Sequence, residues 1–424
     1  MCRTGRPSCR QVIGSGAIGA VRPARGSWRA GRPRPVGPPG TCRCGRPGRR
    51  TKEEGDVDWF RNAVFTPSAD RDEVGAGLDE YVTELRAWAR RHVDAPVGVF
   101  LSGSLARREP GVMSTGHGGV LLSDLDLVVI AAGEELAQRI AGTLKAEMLE
   151  RRPDLTTTTF AVDVGNLRRL RGSVAADLAQ GWDEPLYGSA PGPFPRRDLT
   201  DRDHEELCIH QLGACLFYPP ADAPCDGLRH FRPGRGMHAV KSVLESLRLR
   251  VSVAGVRAPT YASLLAPESS EVLAAEQRDL AHRAIRAREL GAPLSEFDDL
   301  AIPSVLAALS DRLGCSPTQA SLARAVEDRV RDLTGVLPLF SALAVLLALG
   351  PGDPPLDAAI RGLLARTSDA ELPTSRSARD QLVSAASPGD LGVHLPLWLD
   401  IREDYYTRLG DTNFGRVADP GGHR

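Results

Sequence analysis

From Glu73 onward the apolar residues Val74, Leu78, Tyr81, Val82, Leu85, Trp88 and Ala89 recur at spacings of three and four, which places them on one face of a helix. Pro96 ends that run, and the stretch VGVFL after it reads as a strand. A glycine-rich loop follows. LDLVVI then reads as a second strand, residues 134–150 return to helical spacing, and TTTTFAVDVGNL reads as a third strand. Helix, two strands, helix and strand make a compact α/β unit. Residues 165–200 carry turn signals at YGSAPGPFP.

Beyond Asp203 nearly every periodic run is helical. HAVKSVLESLRLRVSVAG closes on Gly255, and SEVLAAEQRDLAHRAIRARELG closes on Gly291. Further runs occupy about 300–314, 317–333, 336–349, 356–366 and 376–386, and LPLWLDIREDYYTRLG makes a last helix. No fixed-period repeat is present, which favours a packed bundle over a solenoid. The expected fold class is α+β, a small α/β domain over 58–200 followed by an all-α helical bundle over 201–424.

Charge alters this picture at one end only. The formal net charge is -1, but residues 1–52 hold 13 basic side chains and no acidic one, while the remainder holds 40 basic against 54 acidic. The Arg-, Gly- and Pro-rich leader, residues 1–57, has no apolar periodicity and buries too little surface to offset its ordering entropy, so disorder is expected there. An arm that binds nucleic acid is the alternative reading of the same composition. The longest apolar run, VLPLFSALAVLLALG at 336–350, is too short to span a bilayer and fits a buried helix. A cytoplasmic protein without a membrane span is expected. Among the eight cysteines, Cys2, Cys9, Cys42 and Cys44 match no common zinc spacing, and Cys208, Cys215, Cys225 and Cys315 read as small buried or half-buried hydrophobes.

The candidate chemistry lies between the first two strands, in GVFLSGSLARREPGVMSTGHGGVLLSDLDLVVI. Residues i and i+2 of a strand share a side, so Asp124 and Asp126 project together while Leu125 and Leu127 face the core. Two carboxylates held that close repel, and a divalent cation between them relieves the repulsion. Hard oxygen donors suit Mg²⁺, with Mn²⁺ as the alternative ion. At the other end of the loop, Gly103 admits close approach to the backbone, and Ser104 opens an expected helix, offering its hydroxyl and free N–H groups to phosphate oxygens. Arg107 and Arg108 add positive charge. Asp163, on the third strand, becomes a third carboxylate if that strand pairs beside LDLVVI, and such a triad can hold two metal ions.

This Gly-Ser after a strand, with Asp-x-Asp opening the next strand and a later single Asp, resembles the signature of the DNA polymerase beta-like nucleotidyltransferase superfamily. The match covers roughly residues 73–170. The resemblance implies a small mixed-sheet nucleotidyltransferase domain in which Gly103 and Ser104 bind the triphosphate of an NTP. It implies that Asp124 and Asp126 hold the metals and that Asp163 completes the site and helps deprotonate an acceptor hydroxyl. The helical half is similar to that of the small-molecule members, such as the aminoglycoside nucleotidyltransferases, in which a helix carries a basic residue toward the phosphates. Lys241 in HAVKSVLESLRLRV stands in that context, beside the plainer reading of a solvated helix face. One departure from the family is length. Nineteen residues separate Ser104 from Asp124, and the excess PGVMSTGHGGV, with His117, reads as a flexible excursion.

The function expected is transfer of a nucleoside monophosphate from an NTP to a hydroxyl of a small molecule. A macromolecular acceptor such as tRNA or protein, and a non-catalytic nucleotide-binding module, remain the alternatives. GWDEPLYG at 181–188, with Glu184, either lines an acceptor pocket or packs Trp182 and Tyr187 on the core.

Overall fold

The computed structural model describes residues 68–115, 118–121, 123–194, 198–217, 235–290, 294–349, 354–373 and 391–416. The predicted leader, His117 and the helical run at 376–386 lie outside the described residues. So do the cysteines of the leader and Cys225.

Helix α1 (Ser68–His92) leads into strand β1 (Val97–Leu101), the single turn α2 (Gly103–Ala106), a ribbon of β2 (Val112–Thr115) and β3 (Gly118–Leu121), and strand β4 (Leu125–Ala131). Helix α3 (Glu134–Arg151), strand β5 (Thr157–Asp163) and helix α4 (Gly172–Gly181) follow. Strands β1, β4 and β5 form one mixed sheet in the order β1-β4-β5, with β1 antiparallel and β5 parallel to β4. Parallel pairing requires a long crossover, which α3 supplies.

Both faces of the sheet are covered, which is why β4 reads as an almost unbroken apolar run. On one face Leu125, Leu127 and Val129 pack with Leu78, Tyr81, Leu85 and Trp88 of α1 and with Leu144 and Met148 of α3. On the other, Phe100, Val128, Ile130 and Val162 pack with Ala175 and Leu178 of α4 and with Trp182. Trp182 stacks on Phe100 at 4.7 Å between centroids. Each such large side chain taken fully out of water contributes about 1.5–3 kcal/mol. Helix α4 lies inside the segment that the sequence marks mainly by turns, and it is the element that closes the second face.

The glycine-rich excursion is not a loose loop. Residues Val112–Thr115 and Gly118–Leu121 pair antiparallel, Val112 opposite Leu121, so the flexible strand-to-strand connection expected there is replaced over its described part by a β-ribbon. Backbone ladder bonds satisfy the extra residues without a core of their own.

The remaining helices are α5 (Asp201–Phe217), α6 (Arg235–Val253), α7 (Pro267–Val272), α8 (Ala275–Leu290), α9 (Asp298–Leu313), α10 (Gln319–Val330), α11 (Val336–Leu349), α12 (Pro354–Arg366) and α13 (Leu391–Asn413). The single helix expected up to Gly291 is broken after α7, where Leu273 takes an extended conformation. Gln277 then caps the new start by accepting from the Ala274 N–H at 2.9 Å. Helix α11 is buried nearly all round, as its unbroken apolar sequence requires, with Leu339, Phe340, Leu343 and Ala344 all inaccessible. Gly314 ends α9 in the left-handed conformation, its N–H returning to the Ser310 and Asp311 carbonyls. Cys208 and Cys215 are buried and Cys315 is half-buried. The architecture is α+β, mostly helical, with one small mixed sheet. No helix among the described residues is long and apolar enough to cross a membrane.

Candidate nucleotide and metal site

Asp126 is the second residue of β4, on the face that carries Val128 and Ile130, and Asp124 precedes the strand by one residue on the same side. The end of β1 is tied to this point, since the Ser102 N–H donates to the Asp126 carbonyl at 2.8 Å. The chain then turns through Gly103 with φ +62°, and a Cβ there would overlap the Asp126 carboxylate. Gly103 is therefore explained by the aspartate it faces. Only a residue without a side chain permits both the left-handed backbone and the close approach. Gly103→Ala is expected to destabilise the fold by about 1–3 kcal/mol and to displace the Asp126 carboxylate. Urea denaturation of the variant, with and without Mg²⁺, measures the first effect and reads the second as a lost Mg²⁺ response.

Asp124 keeps part of its surface in solvent though its carboxyl is partly desolvated, and Asp126 is half-buried. Burial, reinforced by the neighbouring Asp124 charge, pushes Asp126 up to about 7, and Lys241 opposes the rise. Asp124 is raised chiefly by burial, with Lys241 again opposing. Lys241 projects from α6 toward both aspartates and is itself pulled down to about 8 by burial and by the Arg288 cation. Neither carboxylate side chain accepts a hydrogen bond, and the Lys241 ammonium donates none, among the described residues. Two oxygen-donor side chains whose ionisation is under-compensated fit a hard cation that keeps part of its water shell. His238, one turn before Lys241 on α6, and His210 on α5 both lie within its electrostatic reach. Burial holds them at about 3 and about 4, so both are neutral near pH 7.

Asp163 does not join this pair. The register sets Asp126 opposite Thr158 and Asp163 opposite Ala131, five positions further along, which is roughly 16 Å. It also shares its side with Ala161, on the face packed against α1 and α3. Opposite ends and opposite faces separate it from Asp126, so the three-carboxylate site is corrected to a pair. The Asp163 side chain instead accepts from the Gly165 N–H at 2.8 Å and caps the 3₁₀ turn Val164–Arg169. Asp163→Ala is expected to cost about 1 kcal/mol of stability and to leave turnover within a few-fold of the parent. A loss near a thousandfold in a pyrophosphate-release assay would restore it to the site. With the third carboxylate gone, no group of three or more His, Cys, Asp or Glu arranged for a metal occurs among the described residues.

Arg107 is near the site but not free to meet a ligand as the sequence suggests. Its guanidinium donates to both Asp177 oxygens at 2.6 Å, and its Nε lies 3.6 Å from Glu109. Burial opposes its charge, and Asp177, Tyr261 and Glu109 more than offset this. Arg108 pairs with Glu184 rather than with anything in the site. It occupies the left-handed position after α2, with φ 62°. That turn aims Glu109 into the helical half. The Glu109 carboxylate accepts from the N–H groups of Tyr261 at 3.1 Å and Ala262 at 2.8 Å, and its carbonyl accepts from Arg288 at 2.9 Å. The Tyr261 ring in turn lies 5.7, 5.5 and 5.2 Å from the guanidinium carbons of Arg107, Arg248 and Arg288. Its hydroxyl donates to Glu245 at 2.8 Å.

Asp177, Glu109, Tyr261 and Arg288 are the residues that sequence reasoning missed. The charged run ARRE, one residue after the Gly-Ser and inside a loop bounded by buried strands, is the one signal that pointed to a buried ionic cluster. Of the predicted residues, the fold brings together Gly103, Ser104, Asp124, Asp126 and Lys241, and it sets Asp163 and Arg107 to other tasks. Comparison with protein-family models, curated proteins and solved structures finds no match for this chain.

Proposed function

We propose that this chain binds an NTP with Mg²⁺ between Asp124, Asp126 and Lys241 and transfers its nucleoside monophosphate to a hydroxyl of a small molecule, as the resemblance to the polymerase beta-like nucleotidyltransferases implies. One observation carries the reading. A half-buried ammonium and a pair of partly desolvated carboxylates face one another with no hydrogen bonds of their own among the described residues. A ligand that brings an anion to the ammonium and a cation to the carboxylates complements both, and a metal-bound triphosphate is such a ligand.

Bound by Asp124 and Asp126, Mg²⁺ would neutralise charge on the phosphate oxygens. Two carboxylates suit one protein-held ion, and a second ion finds no further group of ligands among the described residues. Lys241 would hold the phosphate tail by charge-assisted contact. Gly103 and Ser104 would border the phosphates from the β1 end. The acceptor oxygen attacks the α-phosphorus, the α–β bridging bond breaks, pyrophosphate departs with the bridging oxygen, and the hydroxyl proton passes to solvent. Positioning and charge stabilisation carry most of such a step. The acidic balance of the chain after residue 52, 40 basic against 54 acidic side chains, favours a small acceptor over RNA.

The test is pyrophosphate release by the purified protein with Mg²⁺ and each of the four NTPs, against small hydroxyl compounds, total RNA and the protein itself. Lys241→Gln is expected to raise the KM for NTP by about ten- to hundredfold while changing kcat less. An unaltered KM would remove Lys241 from the site. A second reading, a Mg²⁺–NTP-binding module without turnover, is favoured by the missing third carboxylate. Stoichiometric NTP binding with no release against any acceptor would establish it over transfer.

A further inference from the structure

A cavity of about 440 Å³ opens within the helical half, between α5, α9, α10, α11 and α13. None of Gly103, Ser104, Asp124, Asp126 or Lys241 lines it. Its volume lies in the range of small-molecule pockets. Leu309 of α9, Val326 of α10 and Val345 of α11 give it an apolar wall, which the ring of Tyr405, stacked on Phe340 at 3.8 Å, extends.

The charges that line it cancel. Arg171, Arg202 and Arg329 stand against Glu205, Glu206 and Asp332. Arg171 and Arg202 both pair with Glu206, the second at 3.1 Å, and Arg329 pairs with Glu205 at 2.5 Å. Asp332 is exposed to solvent. An ion entering this chamber would give up its water shell and meet no net charge in return, whereas an uncharged body gives up little.

Inside, the Ser341 hydroxyl is satisfied by the Leu337 carbonyl at 2.9 Å. The Tyr405 hydroxyl is not. Tyr405 is 4% exposed, and its hydroxyl makes no hydrogen bond among the described residues. Glu206 and Arg171 are among the charges that act on it, and both line the cavity, so the hydroxyl lies on the cavity side. A buried tyrosine hydroxyl ordinarily has a partner, and phenylalanine would build the same wall without an unpaired polar atom. The oxygen is thus left for something that enters.

We propose that this cavity is a second ligand site, separate from the nucleotide site, and that it takes an uncharged molecule with an apolar body against Leu309, Val326 and Val345 and a carbonyl-type oxygen that accepts from the Tyr405 O–H.

Isothermal titration of the full chain with 2-octanone, octanoate and octyltrimethylammonium tests this. The ketone is expected to bind one to one, and each ion about tenfold or more weakly than the ketone. Tyr405→Phe should weaken ketone binding about tenfold while melting no lower than the parent without ligand. Val345→Trp should abolish binding by filling the chamber, and Asp126→Asn should leave ketone affinity unchanged. An ion that binds as tightly as the ketone, ketone affinity unaltered by Tyr405→Phe, a lower melting point of that variant without ligand, or no ketone binding overturns the proposal. Binding lost in Asp126→Asn and kept in Val345→Trp also overturns it, because the ligand would then occupy the nucleotide site. Tyr405→Phe removes one oxygen and no hydrogen bond among the described residues, so it keeps the test decisive even where Val345→Trp does not fold.

Discussion

Asp126→Asn is expected to abolish Mg²⁺-dependent pyrophosphate release, by about a thousandfold or more, and to make the protein more stable at pH 8. The two effects share one cause. The carboxyl is held at about 7 instead of its ordinary 3.8, chiefly by burial and then by the Asp124 charge. A folded-state value above the unfolded one means that the unfolded chain releases the proton first. The penalty is therefore absent below about pH 4, grows as pH rises toward 7, and is complete above that, where it is on the order of 4 kcal/mol. Asparagine never ionises, so its stabilising effect should be large at pH 8 and nearly vanish at pH 4. Thermal melts across that range measure it. Mg²⁺ should stabilise the parent at pH 8 and leave the asparagine variant unmoved, because binding to the folded state alone shifts the unfolding equilibrium. Pyrophosphate release that persists in Asp126→Asn would end the metal-pair reading. An advantage of the asparagine variant over the parent that does not grow with pH would mean that the carboxylate is compensated by a neighbour.

Glu109→Ala should be the most damaging single change outside the hydrophobic cores, costing about 3–5 kcal/mol. Glu109 is 1% exposed, accepts two backbone N–H bonds from Tyr261 and Ala262, and faces Arg107. Removing its carboxylate leaves those two donors buried without their acceptor and strips Arg107 of one of its two carboxylate neighbours. Glu109→Gln keeps one acceptor oxygen but turns an amide donor toward donors, so it should recover only part of the loss. Urea midpoints at constant m-value check both. A cost under about 1 kcal/mol for the alanine variant would show that water or Asp177 takes over the role. NTP affinity should fall together with stability, because Glu109 joins the turn after Gly103 to the segment before α7.

Periodicity made most elements legible. The three-and-four spacing of α1 and the apolar run of α11 are local signals that depend on burial alone, and both helices form where the spacing places them. The break after Leu273 and the helix α4 were less visible. In the first, a cap at Ala274 competes with continuous helical spacing. In the second, turn-forming residues on either side outweigh ten residues of modest periodicity. The glycine excursion was read from composition, which does not reveal ladder bonds between Val112–Thr115 and Gly118–Leu121.

The sequence by itself determined that Asp124 and Asp126 share a side, because the two-residue period of an extended chain is a covalent property. It also determined that a glycine stands where the backbone turns beside them. Only the tertiary structure decided which other charges reach that point. Parallel pairing of β4 and β5 sends Asp163 to the far end and the opposite face, since strand register depends on how α3 packs and not on any local spacing. Packing of α6 among α5, α8 and α9 brings Lys241 within reach of the aspartates across more than a hundred residues of chain. The same docking gives Arg107 to Asp177 and Glu109 to the Tyr261 backbone, because a buried charge must find its partner wherever packing has placed one.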